Sequence, residues 1–240
     1  MKIFIDDTYE AMSKRVANDV INIMCTAPKP LFCTASGDSP KGLYKELVQQ
    51  NNALSIDISN WHFLGLDEWL GLDENDEGSC RYMLNKDLFH PLHVKDEMIC
   101  CFDGRTNEPA KECDRIETFI QQHNGIDVAI LGLGMNGHIG LNEPGTSPLL
   151  RSHVSDIAET TKTVGQKYFS KPQTLTKGIT LGLATLMDAK YLFLIVSGEK
   201  KASILKEALQ HKLTKNIPAT LIRDHPNFHV YADKAAAKLL

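Results

Sequence analysis

The stretch Ile126-Asp127-Val128-Ala129-Ile130-Leu131-Gly132-Leu133-Gly134-Met135-Asn136-Gly137-His138-Ile139-Gly140-Leu141-Asn142-Glu143-Pro144-Gly145 joins an apolar, β-branched run to a glycine-rich turn bearing one imidazole and one carboxylate. The apolar part has the unbroken pattern of a strand covered on both faces, the mark of a parallel sheet in an α/β protein. Its carboxyl end opens straight into the glycines, and in open α/β sheets ligands bind at that end of the strands. Gly132, Gly134 and Gly137 also fit the G-x-G-x-x-G spacing of a dinucleotide fingerprint. That motif requires a helix that starts at the third glycine and aims its amides at a pyrophosphate. Pro144-Gly145 forbids a long helix after Gly137, so the stretch reads as a turn presenting His138 and Glu143.

Outward from this strand, the chain alternates between the two periodicities. Strands are expected over residues 2–5, 31–34, 61–66, 126–133, 191–196 and 228–231, and helices over 8–24, 40–50, 80–89, 109–122, 182–187 and 199–209. Ala11, Met12, Val16, Val20, Ile21 and Met24 form one apolar helix face. The alternation predicts an open, mainly parallel, doubly wound sheet with helices on both faces, Rossmann-like, in one domain over residues 1–240. Residues 147–176 lack periodicity and read as a mobile, site-covering segment, and residues 232–240 as a short tail.

Composition narrows the function classes. A net charge of −4, with Lys and Arg dispersed, argues against a nucleic-acid or anionic-membrane partner. The six cysteines, Cys25, Cys33, Cys80, Cys100, Cys101 and Cys113, show no C-x-x-C or zinc spacing, several lie in apolar runs, and they read as buried thiols in a reducing cytosol rather than as bridges. Residues 1–7 look like a first strand rather than a leader, and no apolar run is long enough to span a bilayer. A soluble, cytoplasmic protein is expected.

Four further places sit where this topology puts ligands. Thr34-Ala35-Ser36-Gly37-Asp38-Ser39-Pro40-Lys41-Gly42 lies between a strand and a helix, with Ser39 as the expected N-cap and Pro40 at the first helical position. Such a loop is either an anion cradle or an ordinary capped turn, and Asp38 would have to point away from an anion. In Leu66-Asp67-Glu68-Trp69, Asp67 ends a strand and is a candidate general base, the alternative, which these residues alone favour, being a turn or helix-start Asp with Glu68 in solvent. His138 and Glu143 are spaced so that the carboxylate could orient the imidazole for proton transfer, the alternative being a structural histidine. Val196-Ser197-Gly198-Glu199-Lys200-Lys201-Ala202 places two ammonium groups at a helix start, where the dipole does not favour them. His62, His90 and His225 show no companion spacing, so no metal site is expected.

The segments Leu66-Asp67-Glu68-Trp69, Gly134 to Gly145, Gly178-Ile179-Thr180-Leu181-Gly182 and Ser197-Gly198-Glu199-Lys200-Lys201-Ala202, in this order, resemble the glucosamine-6-phosphate deaminase (isomerase) family. The likeness runs from about Ile3 to the His225-Pro226-Asn227 region, and its D-E-W and G-I-T-L-G-L wording is nearest the galactosamine-6-phosphate deaminase/isomerase branch, which leaves the sugar epimer open. The resemblance implies conversion of a 2-amino-2-deoxy-hexose 6-phosphate to a 2-ketohexose 6-phosphate and ammonia, with no metal or organic cofactor. It assigns Asp67 as the base, His138 as the ring-opening group, and Glu143, with Asn136, as its surroundings. It gives Ser36, Gly37, Ser39 and Lys201 to the 6-phosphate, with Lys167 where many members carry arginine. Lysine supplies charge there but no bidentate fork. Asn136 stands where some members have Asp, and Asp38 replaces a small residue of the phosphate loop.

Two other readings share the architecture. A 6-phosphogluconolactonase resembles G-H-T-A-S-L-F after the glycines, against Gly137-His138-Ile139-Gly140-Leu141-Asn142-Glu143-Pro144 in this chain. A sugar-phosphate-sensing regulator needs a basic helix-turn-helix segment, and no such segment precedes the first strand. The expected partner is therefore a small sugar phosphate, and the expected oligomeric state is a monomer.

Overall fold

The computed structural model describes residues 1–54 and 56–240. In chain order the elements run β1 (Lys2–Asp6), α1 (Tyr9–Met24), β2 (Leu31–Thr34), α2 (Asp38–Leu54), β3 (His62–Gly65), β4 (Asp67–Trp69), α3 (Cys80–Leu84), β5 (Ile99–Cys100) and α4 (Pro109–Gln122). They continue with β6 (Val128–Gly132), β7 (His153–Asp156), α5 (Glu159–Gly165), β8 (Lys177–Thr180), α6 (Leu183–Met187), β9 (Tyr191–Val196), α7 (Ala202–Gln210) and β10 (Phe228–Asp233). Seven strands form one sheet in the order β1-β10-β9-β6-β2-β3-β5, and every neighbouring pair is parallel.

Alternation along the strands builds two cores. Val128 and Ile130 of β6, with Phe32, Phe63, Phe193 and Ile195, face α1 and α2 through Met12, Val16, Val20, Leu43 and Leu47. Ala129 and Leu131, with Leu31, Leu64, Leu192 and Leu194, face α4, α6 and α7 through Ile116, Leu186 and Leu205. This is the doubly wound arrangement expected from the alternating pattern, since a sheet buried on both faces shows uninterrupted apolar strands. The chain moves from β2 to β3 in one direction across the sheet and from β6 to β9 and β10 in the other. A crevice therefore opens between the carboxyl ends of β2 and β6, where strand order reverses.

Several boundaries differ from expectation. The strand expected over 61–66 ends at Gly65, and Asp67 begins β4 in a second, antiparallel sheet of order β4-β8-β7. Residues 147–176, expected to be aperiodic, contain β7 and α5; β7 is held by antiparallel pairing with β8, 24 residues further along, rather than by local pattern. Helix α2 begins at Asp38, so Ser39 is its second residue and not an N-cap. Gly37 enters that helix at φ +107°, a conformation that favours glycine. The expected helix over 80–89 passes from α3 into a π-turn at Asn85–Phe89, and β5 was not anticipated. Ala232 and Asp233 belong to β10 rather than to a tail, and Asp233 accepts hydrogen bonds from Gly198 N at 3.0 Å and Ala236 N at 2.7 Å. All six cysteines are free, as expected, although Cys25 is exposed. Among the described residues, no helix is long and apolar enough to cross a membrane.

Candidate functional site

Four adjacent strands, β9, β6, β2 and β3, deliver the candidate residues from their carboxyl ends. The turn after β6 is closed on itself by Gly137 N donating to Gly134 O and Gly134 N to His138 O, each at 3.0 Å. A Cβ on Gly134 would lie 2.5 Å from three atoms of the His138 ring, so the imidazole rests against bare backbone. Gly137 has φ +81°. Asn142, fully buried, pins the turn to the start of α6 by donating to Ile139 O and Leu181 O at 2.9 and 2.8 Å. No helix follows Gly137, in keeping with the reading that set the dinucleotide fingerprint aside.

Glu143 is brought beneath this ring. Its Oε2 lies 3.6 Å from His138 Nδ1 and accepts from Asn136 Nδ2 at 2.8 Å, while Asn136 Oδ1 accepts from the His138 backbone N–H at 3.2 Å. Asn136 thus serves Glu143 as a donor, a task an ionised Asp could not perform. Burial works to raise the Glu143 carboxyl, but His138, Thr161 and Asn136 together hold it below the usual range. Thr161 of α5, for which local patterning offers no functional signal, sets its Oγ1 3.0 Å from His138 Nδ1.

Asp67, at the start of β4, is half-buried and lies within charge range of His138. Burial pushes its carboxyl up to about 6, and both the Cys80 thiol and the charge of His138 pull the other way, so the base candidate and the imidazole share one neighbourhood. Cys80 also reaches Ser36, tying the loop after β2 to Asp67. Glu68, expected in solvent, is 1 % exposed. Its carboxylate accepts from the backbone N–H groups of Trp69, Cys80 and Arg81 at 2.8, 2.9 and 2.8 Å, which clamps the start of α3 onto β4. Burial raises it to about 7 despite those three donors.

The cationic groups gather beside the loop after β2. Lys167 Nζ lies 2.5 Å from Asp38 Oδ2, and Lys41 Nζ lies 3.1 Å from Asp38 Oδ1. Asp38 therefore turns its carboxylate onto two lysines, which is how a negative residue is accommodated at this position. Lys201 donates to Leu133 O at the root of the glycine turn; burial, then the charge of Lys167, lowers it to about 8, with Asp38 opposing. The Tyr168 hydroxyl approaches Gly37, where an added Cβ would sit 3.2 Å from it. Ser36, Gly37, Lys167 and Lys201 are thus drawn together, joined by Lys41 and Tyr168, which the sequence reading did not name. Ser39 contributes its carbonyl to the Tyr9 hydroxyl at 3.0 Å, from within the first turn of α2.

The family model described as glucosamine-6-phosphate isomerases/6-phosphogluconolactonase matches residues 6–230. The chain belongs to this family. Among its relatives in the glucosamine-6-phosphate isomerase/6-phosphogluconolactonase family, the glucosamine-6-phosphate deaminase of Oceanobacillus iheyensis is 36 % identical over 98 % of this chain and 95 % of its own. That of Clostridium perfringens strain 13 is 35 % identical, with 100 % of both chains covered. A solved monomeric glucosamine-6-phosphate deaminase superposes with a TM-score of 0.96 at 29 % identity, covering 100 % of each chain. The 6-phosphogluconolactonase of Trypanosoma brucei, at 20 % identity and a TM-score of 0.78 over 100 % of this chain and 98 % of its own, shares the fold.

Proposed function

We propose that this chain converts an amino sugar phosphate, a 2-amino-2-deoxy-hexose 6-phosphate, with water to the 2-ketohexose 6-phosphate and ammonia, residues 1–240 acting as one monomeric, cytoplasmic domain without nucleic-acid or membrane partners. The observation that carries the reading is the meeting of a partly desolvated carboxylate, Asp67, with an imidazole, His138, beside a cluster of lysines. Lys201, Lys167 and the Ser36–Gly37 loop hold the 6-phosphate, and this remote binding energy fixes the reacting carbons. His138, oriented by Glu143 and Asn136, moves a proton from the C1 hydroxyl to the ring oxygen, so that the C1–oxygen ring bond breaks and C1 becomes the aldehyde carbonyl. Asp67 then removes the C2 proton beside the carbonyl and returns it at C1, while the C1 oxygen gains a proton and the amino group gives one up, leaving a C2 imine that water hydrolyses to the ketone and ammonia. A carboxyl near pKa 6 is largely ionised at neutral pH and is a stronger base than an ordinary aspartate.

The deaminase names of the relatives and of the monomeric structure support this reading over lactone hydrolysis. Ammonia release from glucosamine 6-phosphate and galactosamine 6-phosphate, assayed side by side, tests it. At least one is expected to turn over, and Asp67→Asn to lower kcat by about 10²–10⁴-fold while substrate still binds. Hydrolysis of 6-phosphogluconolactone with neither amino sugar consumed would overturn it.

A further inference from the structure

The sugar-phosphate reading leaves Thr161 unused. It is 6 % exposed, it stands on α5 rather than on any strand end, and its hydroxyl is 3.0 Å from the same ring nitrogen that faces Glu143. A buried threonine hydroxyl carries one hydrogen and two lone pairs, so its neighbours decide which way it points. The charged Glu143 oxygen 3.6 Å from Nδ1 favours a proton on that nitrogen, since a lone pair there would face a negative charge. Nδ1–H then donates to Thr161 Oγ1, and the threonine's own hydrogen is directed to Glu143, which it helps keep ionised. Nε2 is left with the free lone pair.

We infer that Thr161 is a positioning residue for the reaction: its hydroxyl, 3.0 Å from the His138 Nδ1 that also faces Glu143, fixes the imidazole in the Nδ1–H tautomer so that Nε2 starts the cycle as a proton acceptor. The distance from Nδ1 to Glu143 exceeds a hydrogen bond, so the carboxylate alone leaves the ring free to rotate or exchange tautomers. The placement of Thr161 adds a consequence. Only five residues separate it from Lys167, which pairs with the phosphate-loop residue Asp38. One short segment, α5 and the 3₁₀ turn Gln166–Tyr168 that follows it, therefore carries both the group that sets the imidazole and a cation of the proposed phosphate cradle.

The inference rests on the deaminase reading for its kinetic consequence, but its structural core can be measured without substrate. In the whole protein, ¹⁵N NMR of the histidine ring is expected to show His138 in the Nδ1–H form in the wild type and in Thr161→Ser, and a shift toward the Nε2–H form in Thr161→Val. With the amino sugar phosphate that turns over, Thr161→Val is expected to lose about 10–100-fold in kcat, part of what a positioned acid–base group contributes, with KM changed less than about twofold. Thr161→Ser is expected to stay within about threefold of wild type. An unchanged tautomer in folded Thr161→Val, or a kcat loss that serine does not restore, would overturn the role of the hydroxyl. Wild-type protein inert toward both amino sugars would instead sink the deaminase reading, and the ring spectrum would still decide for or against Thr161.

Discussion

In the proposed mechanism Asp67 combines a catalytic requirement with a cost to the fold. Its carboxyl is lifted from 3.8 to about 6 chiefly by burial, so the free enzyme's kcat/KM is expected to fall on the acid side of pH 6, as the base becomes protonated. The same shift acts on stability. Because the folded carboxyl binds its proton more tightly than the unfolded one, folding is weakened as pH rises from about 4 to 6 and the full penalty persists above that. The shift corresponds to about 3 kcal/mol at most, reduced here because the residue is only half-buried and solvent screens its charge. Asp67→Asn is thus expected to be more stable than wild type by about 1–2 kcal/mol at pH 8, and equal to it near pH 3, in urea unfolding at the two pH values. A variant less stable than wild type at pH 8 would contradict this account of the site. Asp67 was legible from its place after an apolar run, whereas Thr161 carried no signal, since a threonine inside an irregular stretch acquires meaning only when a distant imidazole is folded against it.

At the scale of elements, the join between β4 and α3 holds the base in place. Successive residues of a strand face opposite ways, which turns Glu68 away from the substrate side and into three backbone N–H groups, two of them at the start of α3. A glutamine there has one acceptor oxygen and sets an N–H₂ against at least one of those donors. Glu68→Gln is expected to cost about 1–3 kcal/mol, read as a drop of roughly 2–12 °C in Tm; an unchanged Tm would show that the clamp holds nothing. The sequence placed this carboxylate in solvent because charged residues are seldom fully buried. What overrides that tendency is a set of unpaired amides 12 and 13 residues further along the chain, and local patterning does not register a partner so supplied.

The whole molecule is organised by the reversal of strand order between β2 and β6, which converges loops from four strands and then receives α5 and its 3₁₀ turn from the segment between β6 and β8. The cationic cradle is a product of that convergence. Lys41, Lys167 and Lys201 come from three separate regions of the chain, with Asp38 engaging two of them. Inorganic phosphate is a dianion above about pH 7, so its affinity for the free protein above that point follows Lys201, which is lowered to about 8. Isothermal titration from pH 7 to 9.5 is expected to show binding that weakens above pH 8, and Lys201→Met to bind weakly with no such decline. Asp38→Asn, by releasing Lys41 and Lys167, is expected to tighten phosphate binding several-fold at low ionic strength.

The amino-acid sequence by itself determined the doubly wound sheet, because strands buried on both faces must be apolar throughout and helices packed on them must be apolar on one face, and these periodicities are local. It also pointed to the carboxyl ends of those strands as the place for a ligand, and it singled out Asp67, His138 and Glu143 through the loops that follow them. Only the tertiary structure decided the second sheet, the burial of Glu68, the turning of Asp38 onto two lysines and the approach of Thr161 to the imidazole. Each of these depends on atoms that come from separate parts of the chain, and their energies arise only once the backbone has closed around them.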